Sequence, residues 1–501
     1  MIEGILIGLH TALSLKNILM VMMGCFFGTI IGMLPGLGPM TAIALMIPIT
    51  YGFEPATGLI LMAGVYYGAV FGGSTSSILI NAPGVPGTVA TAFDGYPMAQ
   101  QGKAGKALAI AAYSSFAGGT ISAIFLLFAA PSLSKISLAF RSPDYFALMV
   151  LGLTAVSAFS SKGQFLKAMM MVILGLMLST VGQDSLSDIT RFTFNNMNLT
   201  DGISFVLIVM ATFAMSEALT IILKGKDPSR ATQQISLSQL GSIRLDKEER
   251  NKMLKSIPRS SILGFLIGVL PGAGATIASF LAYGMERNYV NDDEKKKFGK
   301  GSVHGLAAPE TANNAACSGS FVPLLTLGIP GSGTTAVMLG ALLGFGIQPG
   351  PRLYQTNPEI FWSVIMSMYI GMVILLILNL PLIPYIARVL ATPRTFLIPL
   401  ILFFSVTGIY LMSFNNFDIY LMIGIAVVAT ILRSYDFPMP PLILAFVLGG
   451  LMEENLRRSL LISDGSWSFL WDRPLTMIIM IVILIIVTWQ IYRSFVKSYT
   501  K

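Results

Sequence analysis

The chain contains 501 residues, of which 54% are hydrophobic and 11% are charged, and its mean hydropathy is +0.74. This composition excludes an ordinary soluble enzyme and indicates a chain that crosses the lipid bilayer many times. The net charge of +8 comes from Lys and Arg residues between the apolar runs, so it predicts membrane orientation and does not indicate nucleic-acid binding.

Apolar runs of about 17–25 residues can cross the bilayer as helices. Such runs, some of them shorter than this, lie at 17–34, 56–72, 105–131, 145–160, 164–181, 203–223, 260–282, 358–380, 396–412, 418–432, 438–452 and 475–493. The short runs predict broken helices, and the Pro-rich stretches 73–90 and 309–335 are the candidate re-entrant segments. We therefore expect an all-α polytopic membrane protein with about 10–12 transmembrane helices.

A glycine–proline motif occurs twice in the apolar sequence. Gly28-Thr-Ile-Ile-Gly-Met-Leu-Pro-Gly-Leu-Gly38 recurs as Gly264-Phe-Leu-Ile-Gly-Val-Leu-Pro-Gly-Ala-Gly274, at an offset of 236 residues. A second motif, Gly84-Val-Pro-Gly87, recurs as Gly328-Ile-Pro-Gly331 at an offset of 244 residues. Two halves with Pro-Gly breaks at membrane depth are typical of secondary transporters. We expect the two repeats to be inverted, with their breaks lining one protein-enclosed cavity at the midplane, because lipid cannot satisfy the freed backbone groups.

The repeats and the charges divide the chain into five parts. These are a repeat 1 transport core (17–135), framework helices (136–223), a cytoplasmic basic linker (224–259), a repeat 2 transport core (260–350) and C-terminal framework helices (351–501). The linker is assigned to the cytoplasm because it is rich in Lys and Arg. The acidic, Asn-rich stretch at 184–201 is expected on the opposite face of the membrane.

Polar residues accumulate beside the breaks, where they suit two kinds of ligand. Hydroxyls, amides and freed carbonyls can hold Na⁺, whereas freed N–H groups at helix N-termini can bind a carboxylate. The predicted substrate-binding residues are Pro35, Gly36, Gly38, Ser74, Thr75, Asn81, Gly84, Gly87, Pro271, Gly272, Gly274, Gly331 and Ser332. The predicted cation-coupling residues are Thr75, Ser76, Glu310, Thr311, Asn313, Asn314, Ser318 and Thr334. An alternative remains open, in which Ser and Thr satisfy their own helices and Asn caps the breaks.

These clusters contain no Lys or Arg, so we expect co-bound cations to balance the charge of an anionic substrate. Glu310 could be a proton or cation site, or it could face an aqueous vestibule. His304 is a candidate proton-linked group near Glu310. Asp94 is interpreted as part of a surface turn, with Lys103 as its partner. Arg352 could attract anions or anchor a loop end.

Several enzyme and cofactor classes are unsupported by the sequence. The stretch from Gly95 to Lys103 lacks the spacing of a nucleotide-binding loop, so transport energy must come from an ion gradient, of Na⁺ or H⁺, with no other cofactor. Two histidines cannot form a His-based metal cluster, and no G-x-S-x-G elbow occurs. We expect no enzyme activity and no metal site. Cys25 and Cys317 lie in apolar segments and fit core positions better than a disulfide.

The chain resembles the large membrane subunit of the tripartite tricarboxylate transporters, the TctA family, over nearly its whole length. The resemblance rests on Gly32-Met-Leu-Pro-Gly-Leu-Gly38, Tyr67-Gly-Ala-Val-Phe-Gly-Gly-Ser74, Asn81-Ala-Pro-Gly84, Phe93-Asp-Gly-Tyr-Pro-Met98, Gly268-Val-Leu-Pro-Gly-Ala-Gly274 and Ala308-Pro-Glu-Thr-Ala-Asn-Asn-Ala315. It implies a multi-pass importer of carboxylates such as citrate in a bacterial inner membrane. It also implies a small membrane subunit and a periplasmic solute-binding protein as partners, and a cation or proton gradient as the energy source. The alternatives are a stand-alone anion transporter of the same fold, or a non-transporting membrane scaffold for a receptor, which would need no polar cavity.

Overall fold

A computed structural model describes residues 1–34, 36–158, 164–184, 187–224, 241–272, 274–386 and 394–498. The described chain is almost entirely α-helical, with a single antiparallel strand pair, β1 (Gly182–Gln183) and β2 (Thr190–Arg191). The prediction of an all-α polytopic membrane protein is confirmed. The described helical stretches that are long and apolar enough to cross a membrane are Leu15–Met33, Pro55–Ile80, Pro86–Ser137, Phe205–Leu223, Pro358–Asn379 and Asn416–Ser434.

The helices of the N-terminal half are α1 (Ile2–Ala12), α2 (Leu15–Met33), α3 (Gly38–Thr50), α4 (Pro55–Ile80), α5 (Val89–Met98), α6 (Ala104–Ser137), α7 (Ser142–Ala158), α8 (Phe165–Ser179), α9 (Phe205–Val209) and α10 (Ser216–Lys224). Those of the C-terminal half are α11 (Lys247–Val269), α12 (Gly274–Tyr289), α13 (Asp292–Lys295), α14 (Val303–Gly319), α15 (Phe321–Leu327), α16 (Gly333–Gly344), α17 (Leu353–Thr356), α18 (Pro358–Asn379), α19 (Ile383–Ile386), α20 (Arg394–Ser413), α21 (Asn416–Ser434), α22 (Pro440–Ile462) and α23 (Pro474–Ser498). Short 3₁₀-helices occur at Pro86–Thr88, Met197–Leu199 and Trp467–Leu470, and π-helices at Ala99–Lys103 and Met210–Met215.

Helices α2 and α4 pack closely because glycines line their contact. A Cβ atom placed on Gly28 would lie 2.3 Å from the carbonyl oxygen of Val65, and one on Gly32 would lie 2.1 Å from that of Ala69. Only residues without side chains allow backbones to approach this closely, as is common between membrane helices. The residue numbers of the contacting pairs increase in the same direction along both helices, so α2 and α4 are parallel.

The second repeat uses the same packing between α11 and α14. Gly264 and Gly268 of α11 face Ala312 and Ala316 of α14, where an added Cβ would lie 2.4 Å from each alanine carbonyl oxygen. These contacts also rise together along both helices. Each repeat therefore pairs its first long helix with a later helix that runs in the same direction, α2 with α4 and α11 with α14.

The chain reverses at the first break of each repeat. The end of α3 lies beside the start of α4, since a Cβ on Gly58 would lie 3.2 Å from Cβ of Thr50. The start of α3 lies towards the end of α4, since Gly38 is near Gly84, and Gly84 contacts Gly73. Helix α3 is thus antiparallel to α4, and α2–α3 forms a hairpin whose tip follows the end of α2 at Met33 and precedes the start of α3 at Gly38. In the second repeat, Glu286 of α12 bonds Ser256 and Arg259 of α11, so α11–α12 is a hairpin. Its tip follows the end of α11 at Val269 and precedes the start of α12 at Gly274.

The candidate re-entrant segments are mostly helical, and their interruptions are shorter than the predicted stretches. Residues 73–80 finish α4, and within them the Ser77 hydroxyl lies 2.8 Å from the carbonyl oxygen of Gly73 one turn earlier. The interruption follows at 81–85, and α5 then begins beside the end of α4. Residues 309–327 likewise belong to α14 and α15, and their interruption lies at 328–332.

The basic linker predicted at 224–259 is shorter than expected at its C-terminal end. Helix α11 begins at Lys247, because Asp246 accepts the backbone N–H of Glu249 while the Glu249 side chain accepts the backbone N–H of Asp246. Residues 225–240 lie outside the described residues. The other domain boundaries stay predictions.

Helices α6 and α18 complete the core, each by packing against a helix from the other half of the chain. Helix α6 packs against α14 of the second repeat, and α18 packs against α4 of the first. Framework helices surround this core, with α7 and α8 against α22, and α20 and α21 against the π-helix Met210–Met215. The π-helix also contacts α3, so part of the framework reaches the first hairpin.

Candidate functional site

The two repeats meet where α4 crosses α14. Tyr67 and Ser318 share a hydrogen bond of 2.6 Å between their hydroxyls, and Ser74 donates to the carboxylate of Glu310 over 2.7 Å. The earlier residue of α4 contacts the later residue of α14, and the later contacts the earlier, so the two helices are antiparallel at this contact. Ser74 and Ser318 are equivalent at the 244-residue offset, and each is presented to the long helix of the other repeat. The contact is therefore close to two-fold symmetric.

Glu310 is the charged residue at this crossing, and it is fully buried. Its Oε2 atom accepts hydrogen bonds of 2.7 Å from Ser74 and Ser115, and its Oε1 atom accepts one from Thr91. Within the described ranges, every hydrogen bond to this carboxylate comes from a hydroxyl of the first repeat, and no basic side chain forms an ion pair with it. Such a carboxylate can accept a proton or a small cation.

A narrow cavity adjoins these hydroxyls. Its lining includes Ser74, Thr75 and Ser115, together with Asn379 from α18. The Oδ1 atom of Asn379 has no hydrogen-bond partner among the described residues. The cavity thus extends the polar environment of Glu310 and places the predicted Thr75 beside it.

Asn313 and Asn314 lie next to Glu310 on α14. Asn314 donates to the backbone carbonyl of Glu310 over 3.1 Å, and its Oδ1 atom has no partner in the described part of the chain. Both side-chain polar atoms of the fully buried Asn313 lack partners there too, and a Cβ on Gly87 would lie 2.7 Å from Asn313 Oδ1. A buried polar group left unpaired costs about 1–3 kcal/mol, so Asn313 is placed to bind a polar ligand at the second break of repeat 1.

The two breaks of each repeat contact each other. The N–H of Gly272 donates to the carbonyl of Gly331 over 3.0 Å. In the first repeat, Gly84 lies so close to Gly32 that an added Cβ would clash with its carbonyl oxygen. Across the repeats, the hydroxyls of Tyr66 and Ser332 lie 3.4 Å apart. The predicted glycines and Ser332 are thus brought to one region around the crossing.

Other predicted residues satisfy their own helices. Ser76 and Thr311 donate to carbonyls one turn earlier, and Asn81 caps α4 in the left-handed conformation at φ 49°. For these residues the structure supports the alternative interpretation. Thr334 lies in the first turn of α16, and Pro35 lies outside the described residues.

The interpretation of Asp94 as part of a surface turn was wrong. Asp94 lies within α5 and is fully buried. Its Oδ1 atom accepts backbone N–H groups of Gly299, Gly301 and Ser302 at 2.9, 2.9 and 2.7 Å. All three donors bond Oδ1, whereas Oδ2 is buried with no hydrogen-bond partner among the described residues. Asp94 thus holds the entry to α14 through Oδ1 and does not pair with Lys103.

His304 and Arg352 take no part in the crossing. The Nδ1 atom of His304 lies 3.0 Å from Glu286 and 2.8 Å from Ser256, within the polar end of the second hairpin. Arg352 lies in the turn before α17, which agrees with a loop anchor. Cys25 and Cys317 are both buried and unbonded.

Sequence reasoning missed an ion pair at the tip of the first hairpin. Arg433 of α21 bonds Glu217 of α10 over 2.7 Å, and a Cβ on Gly36 would lie only 2.9 Å from Glu217 Oε1. The framework therefore supplies a basic side chain, which the polar clusters beside the breaks lack. Glu217 within the apolar run 203–223 was the available signal, because an intramembrane charge indicates a functional position. Thr91 and Ser115 were also missed, although Thr91-Ala92 recurs as Thr335-Ala336 at the same 244-residue offset as the second motif.

The comparisons with known proteins cover these elements. The chain matches the family described as "Tripartite tricarboxylate transporter TctA family" over residues 18–444. It is 43% identical over 465 residues to an uncharacterized 52.8 kDa protein in the TAR-I ttuC' 3'region of Agrobacterium vitis, covering 93% of this chain and 91% of that protein. An uncharacterized protein in the TAR-II ttuC' 3'region of the same organism is 43% identical over 212 residues, covering 42% of this chain and 87% of that protein.

No solved structure matches the chain. The residues matched by the family include both hairpins, the crossing helices α4 and α14, and the Arg433–Glu217 pair. The chain therefore belongs to the tripartite tricarboxylate transporter TctA family.

Proposed function

We propose that this chain is the large membrane subunit of a cation- or proton-coupled secondary importer for di- or tricarboxylates in a bacterial inner membrane. It works with a periplasmic solute-binding protein and a small membrane subunit. Family membership supports the substrate class and the partners. The polar crossing between the repeats disfavours a scaffold without transport activity, since such a scaffold needs no buried carboxylate there.

The observation that carries the coupling step is the buried carboxylate of Glu310. A charge at this depth is costly to retain, so it is kept for ion handling. Its three hydroxyl ligands can reverse their roles, because a hydroxyl both donates and accepts. When Na⁺ or H⁺ neutralises Glu310, Ser74, Thr91 and Ser115 can turn lone pairs towards the ion, and the narrow cavity beside them has room for about one water-sized ligand.

The arrangement of the helices supports inverted repeats. Helices α4 and α14 are equivalent in the two repeats and cross in antiparallel directions through Tyr67–Ser318 and Ser74–Glu310. The first arm of each hairpin, α2 or α11, runs parallel to the crossing helix of its own repeat, α4 or α14. Because α4 and α14 are antiparallel, the two hairpins then enter the membrane from opposite sides. Their tips are placed to alternate in exposing one shared site.

Uptake of labelled citrate into proteoliposomes containing the chain and both partner subunits tests this function. The Na⁺ gradient and the pH gradient are varied separately, and the solute-binding protein is omitted in one arm. We expect uptake to need one of the two gradients and the solute-binding protein. Full uptake without that protein would favour the stand-alone transporter, and citrate and succinate uptake indifferent to both gradients would refute ion coupling.

Serine variants on α6 connect this assay to Glu310. Ser115 bonds the Glu310 carboxylate, whereas Ser122 on the same helix bonds only the backbone carbonyl of Ala315, over 2.6 Å. Ser115→Ala should change the ion concentration for half-maximal uptake by about tenfold, the effect of losing one hydrogen bond to a charged group. If the coupling ion is H⁺ the concentration should fall, because the ionised carboxylate loses a donor, and if it is Na⁺ the concentration should rise, because the ion loses a ligand oxygen. Ser122→Ala is the matched control and should leave that concentration unchanged.

A further inference from the structure

The Arg433–Glu217 pair lies at the tip of the first hairpin and is shielded from solvent. The side chains retain 23% and 12% of their accessible surface, and Nη1 of Arg433 lies 2.7 Å from Oε2 of Glu217. Desolvation of two charges offsets much of their attraction, so a buried pair is weak evidence for a purely stabilising role. Its position next to Gly36 calls for another explanation.

The framework is shaped to hold the guanidinium at this place. The π-helix Met210–Met215 precedes Glu217, and the carbonyl of Thr212 within it accepts Nη2 of Arg433 over 2.9 Å. The ring of Phe213 lies 5.8 Å from the guanidinium carbon. π-helices are rare and often mark functional positions, because they redirect backbone carbonyls. The Nε atom of Arg433 is buried and has no partner among the described residues, so one donor remains unused.

The carboxylate of Glu217 occupies the position that an anion would prefer. It lies against Gly36, immediately before α3 begins at Gly38. The N-terminal end of a helix carries partial positive charge and unpaired N–H groups, which attract carboxylates. Glu217 therefore lies against the residue two positions before α3 on one side and bonds the guanidinium of Arg433 on the other.

We propose that Arg433 binds a carboxylate group of the transported anion at the first hairpin, and that Glu217 holds this position until the anion arrives. This inference rests on the proposed function and names the anion-binding residue for it. The planar guanidinium pairs with a carboxylate through two parallel hydrogen bonds, a geometry that lysine cannot reproduce. An incoming carboxylate competes with Glu217 for the guanidinium and for the N-terminus of α3.

Three variants test the inference in purified protein and in the reconstituted complex. The double variant Arg433→Gln/Glu217→Gln removes both charges, so neither is left buried without its partner. Arg433→Lys keeps the charge and loses the planar fork, and Glu217→Gln removes only the competing carboxylate. The matched control is Asp144→Asn/Arg473→Gln, because that pair is also buried on its acidic side, at 2.8 Å, and joins framework helices away from the hairpins.

The readouts are the KM for citrate and succinate uptake and the shift in Tm that each acid causes in purified protein. We expect the double variant and Arg433→Lys to raise KM about 10- to 100-fold, the range for losing a charged hydrogen bond. Glu217→Gln should lower KM about 3- to 10-fold and enlarge the Tm shift, since the acid then meets no competitor. The control pair should leave KM unchanged.

The outcomes separate this inference from the proposed function. Uptake by the unchanged complex, with an unaltered KM in the Arg433 variants, would overturn the inference and leave the proposed function standing. A rise in KM for Glu217→Gln as large as that for the double variant would show that the pair is only structural. An unchanged protein that neither transports nor is stabilised by citrate or succinate would refute both proposals.

Discussion

Glycine at the hairpin tips meets a requirement of the backbone that other residues cannot meet. Gly36 and its equivalent Gly272 have φ values of 98° and 79°, and Gly38 and Gly274 have 65° and 59°. A side chain at such angles costs about 1–3 kcal/mol, and a β-branched one costs more than most. This is why the motif could be found from the sequence and correctly placed at breaks.

Gly272→Val should abolish uptake while the protein still reaches the membrane. The substitution forces a β-branched residue to positive φ and displaces the bond from the Gly272 N–H to the Gly331 carbonyl. Gly284→Val on α12 is the control, because a Cβ there meets no atom within 4 Å. Citrate uptake is normalised to the amount of protein in the membrane. Equal transport by both variants would reduce Gly272 to an ordinary packing residue.

Asp94→Ala should destabilise the protein by about 1.5–3 kcal/mol, the range for hydrogen bonds to a charged group, because it strands three backbone donors at the entry to α14. Thermal unfolding of the detergent-solubilised protein measures this as a lower Tm. Asp293→Ala is the control, since that exposed residue pairs only with the exposed Lys296 over 3.3 Å. A loss of Tm no larger than in the control would contradict the assigned role.

At the scale of elements, the sequence located the breaks but did not show which break reverses the chain. Both kinds of break contain Pro-Gly, and the direction after a break depends on what packs beside it. The small residues that fix this packing are visible in the sequence as Gly64-x₃-Gly68-x₃-Gly72. The helix that packs against them could not be identified from the sequence, because only the fold brings residues of two helices together. The Glu217–Arg433 pair was hidden for the same reason.

Gly68→Ala should lower the free energy of unfolding by about 1–3 kcal/mol, the usual cost of overpacking. The added Cβ would lie 2.5 Å from the carbonyl oxygen of Cys25, so α2 and α4 must move apart. Gly424→Ala on α21 meets no atom within 4 Å and should be neutral or stabilising by up to about 1 kcal/mol, since alanine favours helix. Thermal unfolding in one detergent compares the two, and equal effects would show that the α2–α4 contact is not tight.

For the whole molecule, the duplicated motif predicted two related halves, and the structure arranges their long helices α4 and α14 about a nearly symmetric contact. The identities at that contact differ between the halves, since Glu310 is equivalent to Tyr66 at the 244-residue offset. Symmetry therefore describes the backbone, whereas the chemistry is one-sided. Comparing the sequences of the two halves could predict the symmetry of the backbone. It could not predict that Ser74, Thr91 and Ser115 converge on a single carboxylate.

Inversion of the repeats can be measured by cysteine labelling of intact cells. Glu54, between α3 and α4, and Asp293, between α12 and α14, are both exposed, with 78% and 89% of their side-chain surface accessible. The native cysteines are buried and should label slowly. We expect a membrane-impermeant thiol reagent to modify Glu54→Cys from outside, and Asp293→Cys only after the membrane is opened. Labelling of both from the same side would disprove the inversion.

The short helices of the hairpins have an electrical consequence. Helix α3 has 13 residues and α12 has 16, which at 1.5 Å per residue gives about 20 and 24 Å, less than the 30 Å of hydrocarbon in a bilayer. Under the proposed inversion, water that reaches the two tips along these short arms from opposite sides leaves only a thin insulating layer between the aqueous phases. Most of the membrane voltage then falls across the tips, where one elementary charge is worth about 2.3 kcal/mol per 100 mV. A small displacement of an ion past Gly36 or Gly272 therefore does nearly the full electrical work of crossing the membrane.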